Sequence, residues 1–144
     1  MSIRERETIM IAGIERLGIP LSAAVIVGDL IFVSGQVAYD PETGELRPGT
    51  FAEEAELAFA NLQRVLQAAG SRLEDVIKVT AYLADIRANF SLYNELYRRW
   101  FVPPYPARTT IGADLGGLQI ELEAIARRSA TRLERESRAR KEVR

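Results

Sequence analysis

The segment from Thr50 to Gly70 constrains the fold more than any other part of this sequence, because it specifies one long helix together with both of its ends. Thr50 and Glu53 have the spacing of a capping box, and Gly70 is typical of a helix terminus. The apolar residues between them recur at steps of three and four: Ala55, Ala58, Leu62, Val65, Leu66 and Ala69. A helix with such a stripe must bury it against a second layer of secondary structure.

Strands are predicted on both sides of this helix. The apolar, β-rich residues 23–36 are interrupted by Gly28 and Asp29, a pair that suits a two-residue hairpin turn. Pro41 and Gly44 indicate a tight surface turn. Four further segments have the composition of strands: residues 8–13, 75–85, 107–113 and 118–126.

A second amphipathic helix is predicted over residues 88–101, and Pro103 and Pro104 prevent it from continuing. The resulting order is β, ββ, α, β, α, ββ, which indicates an α+β domain with both helices on one face of a mixed sheet. Strands such as "LIFV" and "IELEAIA" carry apolar residues on both faces. The other face of the sheet would therefore expose an apolar patch, and we expect copies of the same chain to cover it.

The absence of histidine and cysteine excludes several kinds of active site. The 144 residues contain neither type, which rules out disulfides, thiol nucleophiles, Ser-His triads and nearly all catalytic zinc sites. The sequence shows neither a signal-like N-terminus nor an apolar stretch of membrane-spanning length, so a cytoplasmic protein without a membrane partner is expected. Any chemistry must rely on arginine, carboxylates, hydroxyl groups, backbone groups and water.

Arg108, Glu121 and Glu123 are the candidate functional side chains. Arg108 lies in a predicted strand just after Pro106, where its planar fork of donors would be held ready for a carboxylate. Glu121 and Glu123 share one face of the last strand, where burial would raise the pKa of a carboxyl group and a nearby arginine would lower it. The alternatives are a salt bridge for Arg108 and, for the two glutamates, one ion pair at a subunit interface and one solvated carboxylate.

Ser34 and Gly35 end the predicted hairpin in the sequence "VSGQ". A glycine at a strand end allows its backbone N–H to approach a ligand closely, although the same pair also suits an ordinary turn. The chain contains neither GxxxxGK[ST] nor GxGxxG, so nucleotide binding is not indicated.

The chain resembles the YjgF, or Rid, family of small imine and enamine deaminases. The resemblance spans roughly residues 18–126 and is specific because several motifs occur in one consistent order. These motifs are "LIFVSGQ" (30–36), "DPETGE" (40–45), "NLQRVLQAAGSRLEDVIKVTAYLAD" (61–85), "NELYRRWF" (94–101), "PART" (106–109) and "IELEAIA" (120–126).

The resemblance implies a chorismate-mutase-like fold and a homotrimer with a central barrel and sites between adjacent subunits. It implies that Arg108 binds the substrate carboxylate and that Glu121 positions the hydrolytic water. The remaining pocket residues that it implies are Ser34, Gly35, Asn94 and the backbone at Thr110. The implied reaction converts a 2-imino acid, formed from an enamine such as 2-aminoacrylate, to a 2-keto acid and ammonia, with no metal or organic cofactor.

One pocket position departs from the family pattern. The family's N-terminal signature is close to Gly-Pro-Tyr-Ser followed by a polar residue, whereas this chain reads "GIPLSAA". Leu21 therefore stands where a tyrosine is expected, and Ala23 replaces the polar residue. We expect a more apolar pocket mouth, which either favours bulkier or less polar imino acids or leaves a binding pocket with little activity.

We expect one domain over residues 1–126 and a basic extension over residues 127–144 that is helical or disordered. The alternative to a deaminase is a non-catalytic trimer that binds small carboxylate metabolites or a partner protein. Ribonuclease activity is ascribed to some members of the family, and residues 127–144 hold eight basic residues. They also hold three glutamates and no aromatic residue, which favours a solvated segment over a nucleic-acid site.

Overall fold

The fold is a single mixed sheet with helices, seen in a computed structural model that describes residues 5–130 and 132–143. Within these residues the strands are β1 (Glu7–Ile9), β2 (Ala24–Val27), β3 (Leu30–Gln36), β4 (Val76–Leu83), β5 (Ala107–Gly112) and β6 (Ile120–Arg127). The helices are α1 (Ala12–Arg16), α2 (Phe51–Ala68), α3 (Ile86–Trp100) and α4 (Arg132–Glu142).

The strands lie in the order β1-β2-β3-β6-β4-β5. Because β6 is antiparallel to both β3 and β4, these two strands run in the same direction, and β5 is parallel to β4. The connections through α2 and α3 therefore step the same way across the sheet, and right-handed crossovers place both helices on one face. The predicted mixed sheet with two helices on one face is confirmed. We call the other side of the sheet the open face.

The long helix α2 forms as its sequence predicts. Thr50 caps it by accepting a hydrogen bond from the Glu53 amide, and the Glu53 carboxylate accepts one from the Thr50 amide. Its apolar stripe is buried, and Phe59 packs between the two helices. Four aromatic residues from the second half of α3 and the position after it surround Phe59: Tyr93, Tyr97, Trp100 and Phe101.

The N-terminal segment differs from its prediction. The strand expected over residues 8–13 is shorter, and a short helix, α1, that the sequence analysis missed begins at Ala12. The cause is tertiary: the Gly13 amide donates to the Pro41 carbonyl at 2.9 Å, so this segment packs against the surface turn. A Cβ atom at Gly13 would lie 2.6 Å from the Gly44 nitrogen, which explains why glycine occupies this contact.

The other boundaries shift by one or two residues. Helix α3 begins at Ile86, ahead of the predicted residue 88, because the Asp85 carboxylate accepts a hydrogen bond from the Ala88 amide at 3.2 Å and caps the helix earlier. Strand β4 follows a 3-10 turn at Leu73–Asp75.

Among residues 5–130 and 132–143, none of the helices combines the length and the apolar character that crossing a membrane requires.

Candidate functional site

The two principal candidates lie on opposite faces of the sheet. Arg108 pairs in register with Val79, a core residue on the face covered by the helices. Glu121 pairs with Tyr82, whose side chain alternates with the buried Ala81 and so belongs to the open face. Strand β4 separates their strands, so the two backbones are about 10 Å apart across the sheet. One subunit does not bring this arginine and this glutamate together.

Arg108 belongs to the arginine cluster, which we define as Asn94, Arg108 and Thr110. The Arg108 guanidinium donates through Nη2 to Asn94 Oδ1 on α3 at 2.7 Å. Thr110 is two residues further along β5, half-buried on the same side of the strand. Because β5 is an edge strand, part of its backbone is free of ladder hydrogen bonds and faces the surroundings.

Aromatic rings of α3 support the guanidinium. Its carbon lies 4.8 Å from the centre of the Tyr97 ring, 5.0 Å from that of Tyr93 and 5.9 Å from that of Phe90. Burial raises the pKa of Tyr97 to about 12, although the charge of Arg108 opposes this rise. The tyrosine rings therefore stay neutral beneath a fixed positive charge, in the arrangement that cation–π attraction favours.

No carboxylate neutralises Arg108 within the described residues, whose ion pairs involve Arg47, Arg72 and Arg128. An ion pair inside the subunit, one alternative raised for this arginine, is therefore not what holds it. The guanidinium faces an open cleft of about 340 Å³. A half-buried guanidinium with donors directed into a cleft is suited to binding an anion such as a carboxylate.

Glu121 belongs to the glutamate cluster, which we define as Ser34, Gly35 and Glu121. The ladder between β3 and β6 is irregular between Val33 and Gln36, which is the mark of a bulge at Ser34 and Gly35. A Cβ atom on Gly35 would lie 2.1 Å from Glu121 Oε1. The carboxylate therefore occupies the space that a side chain at position 35 would fill.

Hydrogen bonds also hold the bulge in place. The Ser34 hydroxyl donates to the Ser22 carbonyl at 2.6 Å, and the buried Gln36 donates to the Ser34 carbonyl at 3.0 Å. Tyr39 in turn donates to the Gln36 side chain at 2.6 Å. Leu21 precedes Ser22 in the chain, and its side chain is 40% exposed.

The environment of Glu121 favours its protonated form more than water does. Burial raises the pKa of Glu121 above its ordinary value, and the neighbouring Glu123 carboxylate raises it further. Glu123 itself accepts a hydrogen bond from the Tyr82 hydroxyl at 2.5 Å, and this bond raises the pKa of Tyr82. No arginine in the described residues lowers the pKa of Glu121. The lowering by a nearby arginine that the sequence analysis considered is therefore not found within one subunit.

The structure thus sorts the predicted residues into two clusters of one subunit. Asn94 and Thr110 accompany Arg108, whereas Ser34 and Gly35 accompany Glu121. Leu21 is connected to the second cluster only through Ser22, its neighbour in the chain, whose carbonyl accepts the Ser34 hydrogen bond. The sequence analysis missed the aromatic support of Arg108, because Phe90, Tyr93 and Tyr97 satisfy the apolar stripe of a helix equally well. The sequence feature that could have indicated this support is the presence of tyrosine, which carries a polar hydroxyl, at two buried positions of the stripe. Among the described residues, no group of three or more carboxylates is placed to hold a metal ion.

Comparison with known proteins identifies relatives over most of the chain. The family described as endoribonuclease L-PSP matches residues 15–128. A 2-iminobutanoate/2-iminopropanoate deaminase from Bos taurus is 43% identical over 109 residues, which cover 74% of this chain and 79% of that protein.

Solved structures agree with this relationship. A RidA crystal structure from an Antarctic Psychrobacter superimposes with a TM-score of 0.69 at 39% identity, covering 75% of this chain and 88% of that one. The structure of E. coli TdcF with bound serine has a TM-score of 0.69 at 33% identity and covers 76% of this chain and 89% of that one. The resemblance noted in the sequence is confirmed.

Proposed function

This chain belongs to the endoribonuclease L-PSP family, and we propose that it hydrolyses reactive 2-imino acids, such as the 2-iminopropionate formed from 2-aminoacrylate, to 2-keto acids and ammonia. The observation that carries the proposal is the Arg108 guanidinium, which faces a cleft, is held by Asn94 and lacks a carboxylate partner among the described residues. The relatives named as imine deaminases support the same reaction. We place the activity in the cytoplasm.

The reaction suits a protein without histidine. Arg108 binds the carboxylate of the imino acid and so holds the adjacent C=N carbon in place. That carbon is already electrophilic when the nitrogen is protonated. The oxygen of a water adds to it, a proton moves to nitrogen, and the C–N bond breaks to release ammonia and leave the keto acid. No metal or organic cofactor enters these steps.

Glu121 is the group proposed to orient the water. Its carboxylate is fixed by the close approach of Gly35, and in its ionised form it accepts a hydrogen bond from the water and assists removal of the proton. The raised pKa makes it a stronger base than an ordinary glutamate. The backbone N–H groups at Gly35 and Thr110 are further candidates for contacts with the substrate.

We propose that the arginine cluster of one subunit and the glutamate cluster of its neighbour form one site in a homotrimer with a chorismate-mutase-like fold. The two clusters are on opposite faces of one sheet, so an intermolecular arrangement is the simplest way to bring them together. Light scattering tests the assembly: the expected mass is three times that of the 16.1 kDa chain. A monomer would contradict it.

A coupled assay tests the reaction. An amino acid oxidase generates 2-imino acids, semicarbazide traps those that survive, and the protein competes with the trap. The wild type should suppress semicarbazone formation, and Arg108→Ala and Glu121→Ala should not. If the wild type is inert on every imino acid tested while its assembly is intact, the proposed reaction is wrong.

Leu21 favours a second candidate, a trimer that binds a small carboxylate without turnover. This exposed leucine stands where the family pattern has a tyrosine, so the chain lacks that tyrosine's hydroxyl. Leu21→Tyr should then raise turnover, and ligand binding without release of ammonia by the wild type would favour this candidate. The family's description names an endoribonuclease, so RNA binding is tested as well, in a gel-shift assay. We expect the protein not to shift the RNA band.

A further inference from the structure

A second arginine, Arg98, lines the cleft beside Arg108. The lining residues of this cleft are Asn94, Tyr97, Arg98, Tyr105, Pro106 and Arg108. Two of these carry a positive charge and none carries a negative one. A ligand with a single carboxylate would balance one of the two charges and leave the other unmatched.

The two arginines reach the cleft from different elements. Arg108 comes from β5 and is fastened to Asn94 on α3. Arg98 is four residues after Asn94 on the same helix, so the two side chains share one side of it, about 5–6 Å apart at their Cβ atoms. Arg98 therefore stands one helical turn from the point where Arg108 is anchored.

Arg98 has no partner among the described residues. Arg47, Arg72 and Arg128 each contact a carboxylate within their own subunit, but none of the ion pairs or hydrogen bonds of the described chain includes Arg98. Its side chain is exposed at the rim of the cleft. Tyr97 and Tyr105 line the same cleft, and their ring centres are 6.2 Å apart.

We infer that the preferred substrates are 2-imino acids whose side chain ends in a second carboxylate, with Arg108 holding the carboxylate next to the imine and Arg98 holding the distal one. This inference rests on the proposed function and specifies its substrate class. Arg98 is a specificity-determining residue here: it binds the part of the substrate that does not react. A planar fork of donors is well matched to a carboxylate at that position.

The test compares imino acids of equal size and different charge. Those generated by oxidases from glutamate and glutamine differ only in the charged end, and the one from alanine lacks that end. We expect the wild type to have the highest kcat/KM on the glutamate-derived imino acid. Arg98→Gln should lower that value about tenfold or more, as expected for loss of a charge-assisted hydrogen bond, and should leave the alanine-derived substrate unaffected.

Arg99→Gln is the matched control, because it removes the same charge from the next, exposed position of α3, which does not line the cleft. It should leave all three substrates unchanged. Equal losses in the two variants would indicate a general charge effect and overturn the inference, and so would a wild type that treats the glutamate- and glutamine-derived substrates alike.

Binding of glutarate, measured by calorimetry against butyrate, separates this inference from the proposed reaction. Arg98-dependent glutarate binding without turnover of any imino acid would support the dicarboxylate site and contradict the hydrolysis. The opposite result would support the hydrolysis and overturn the inference. In that case the wild type hydrolyses the alanine-derived imino acid, and Arg98→Gln changes neither glutarate binding nor turnover of the glutamate-derived imino acid.

Discussion

Gly35 illustrates how a single residue sets the position of a functional group. Its missing side chain leaves the space that the Glu121 carboxylate occupies, and the bulge around it is held by hydrogen bonds from Ser34 and Gln36. The backbone at Gly35 is not in the left-handed region. Glycine is required here for the close contact and not for an unusual backbone conformation.

Gly35→Ala should therefore reduce activity without unfolding the protein. The new Cβ must push the carboxylate aside, and a displacement of about 1 Å at a reacting group costs on the order of a hundredfold in rate. The measurement is kcat/KM together with the melting temperature. Gly49→Ala is the control, because its Cβ would lie 3.3 Å from its nearest neighbour, the Glu53 carboxylate. Full activity in Gly35→Ala would contradict the role of Glu121.

The charge state of Glu121 gives a prediction on pH. In the proposed mechanism Glu121 acts in its ionised form, so activity should fall on acidification as it becomes protonated, and both burial and the Glu123 carboxylate raise the pKa of Glu121. Glu123→Gln removes one of the two causes, so this acid limb should move to lower pH. Tyr82→Phe, which keeps the Glu123 charge, should not lower it. If Glu123→Gln does not change the pH at which activity falls, Glu121 is not the titrating group.

At the scale of elements, helix α2 holds the start of β6, the strand that carries Glu121. The buried Glu54 of α2 accepts hydrogen bonds from the Gln119 amide at 2.9 Å and from the Gly49 amide at 3.3 Å. Both amides belong to connecting segments, and within residues 5–130 and 132–143 neither has another hydrogen-bond partner. The helix thus fixes where the last strand begins.

Glu54→Ala should destabilise the fold by about 1–3 kcal/mol, because it leaves amide groups without a partner in a partly buried place. Urea unfolding measures the change. Glu74→Ala, at a position whose side chain is 58% exposed, should change the stability little. A loss of the same size in both variants would argue against the specific contribution of Glu54.

The sequence specifies these elements far better than it specifies the site. The capping box of α2, the glycine turn of the hairpin and the prolines after α3 act locally, so each could be read from neighbouring residues. Helix α1 could not, because it depends on a contact between Gly13 and a turn some thirty residues away. Residue types singled out Arg108, Glu121 and Glu123, and the resemblance supplied the roles of Arg108 and Glu121. Their location on opposite faces depends on the strand order and register, which residue spacing alone does not determine.

At the scale of the whole molecule, the open face of the sheet supports the proposed assembly of several subunits. It carries Leu30 and Phe32, which are 40% and 43% exposed, beside the polar groups of Lys78, Thr80 and Glu123. Exposed apolar side chains on a sheet are a common mark of an interface between subunits. The face is less uniformly apolar than its strands suggested, because both glutamates of β6 point to it.

Phe32→Lys should weaken the assembly by placing a charge in this face, and activity should fall with the share of assembled protein. Val102→Lys is the control, because Val102 is 64% exposed in the loop after α3. Light scattering and the imine assay, run over a range of concentrations, measure both effects. An assembly unaffected by Phe32→Lys would locate the subunit interface elsewhere.

The most direct test of an imine-hydrolysing site shared between subunits is complementation. Arg108→Ala and Glu121→Ala, each inactive alone, are unfolded together, refolded as mixed assemblies and tested in the imine assay. If each site takes its arginine from one subunit and its glutamate from the next, random mixing restores about one quarter of the wild-type activity, because that share of the interfaces contains both residues. If the mixed assemblies form and remain inactive, the two residues do not act in one site between subunits.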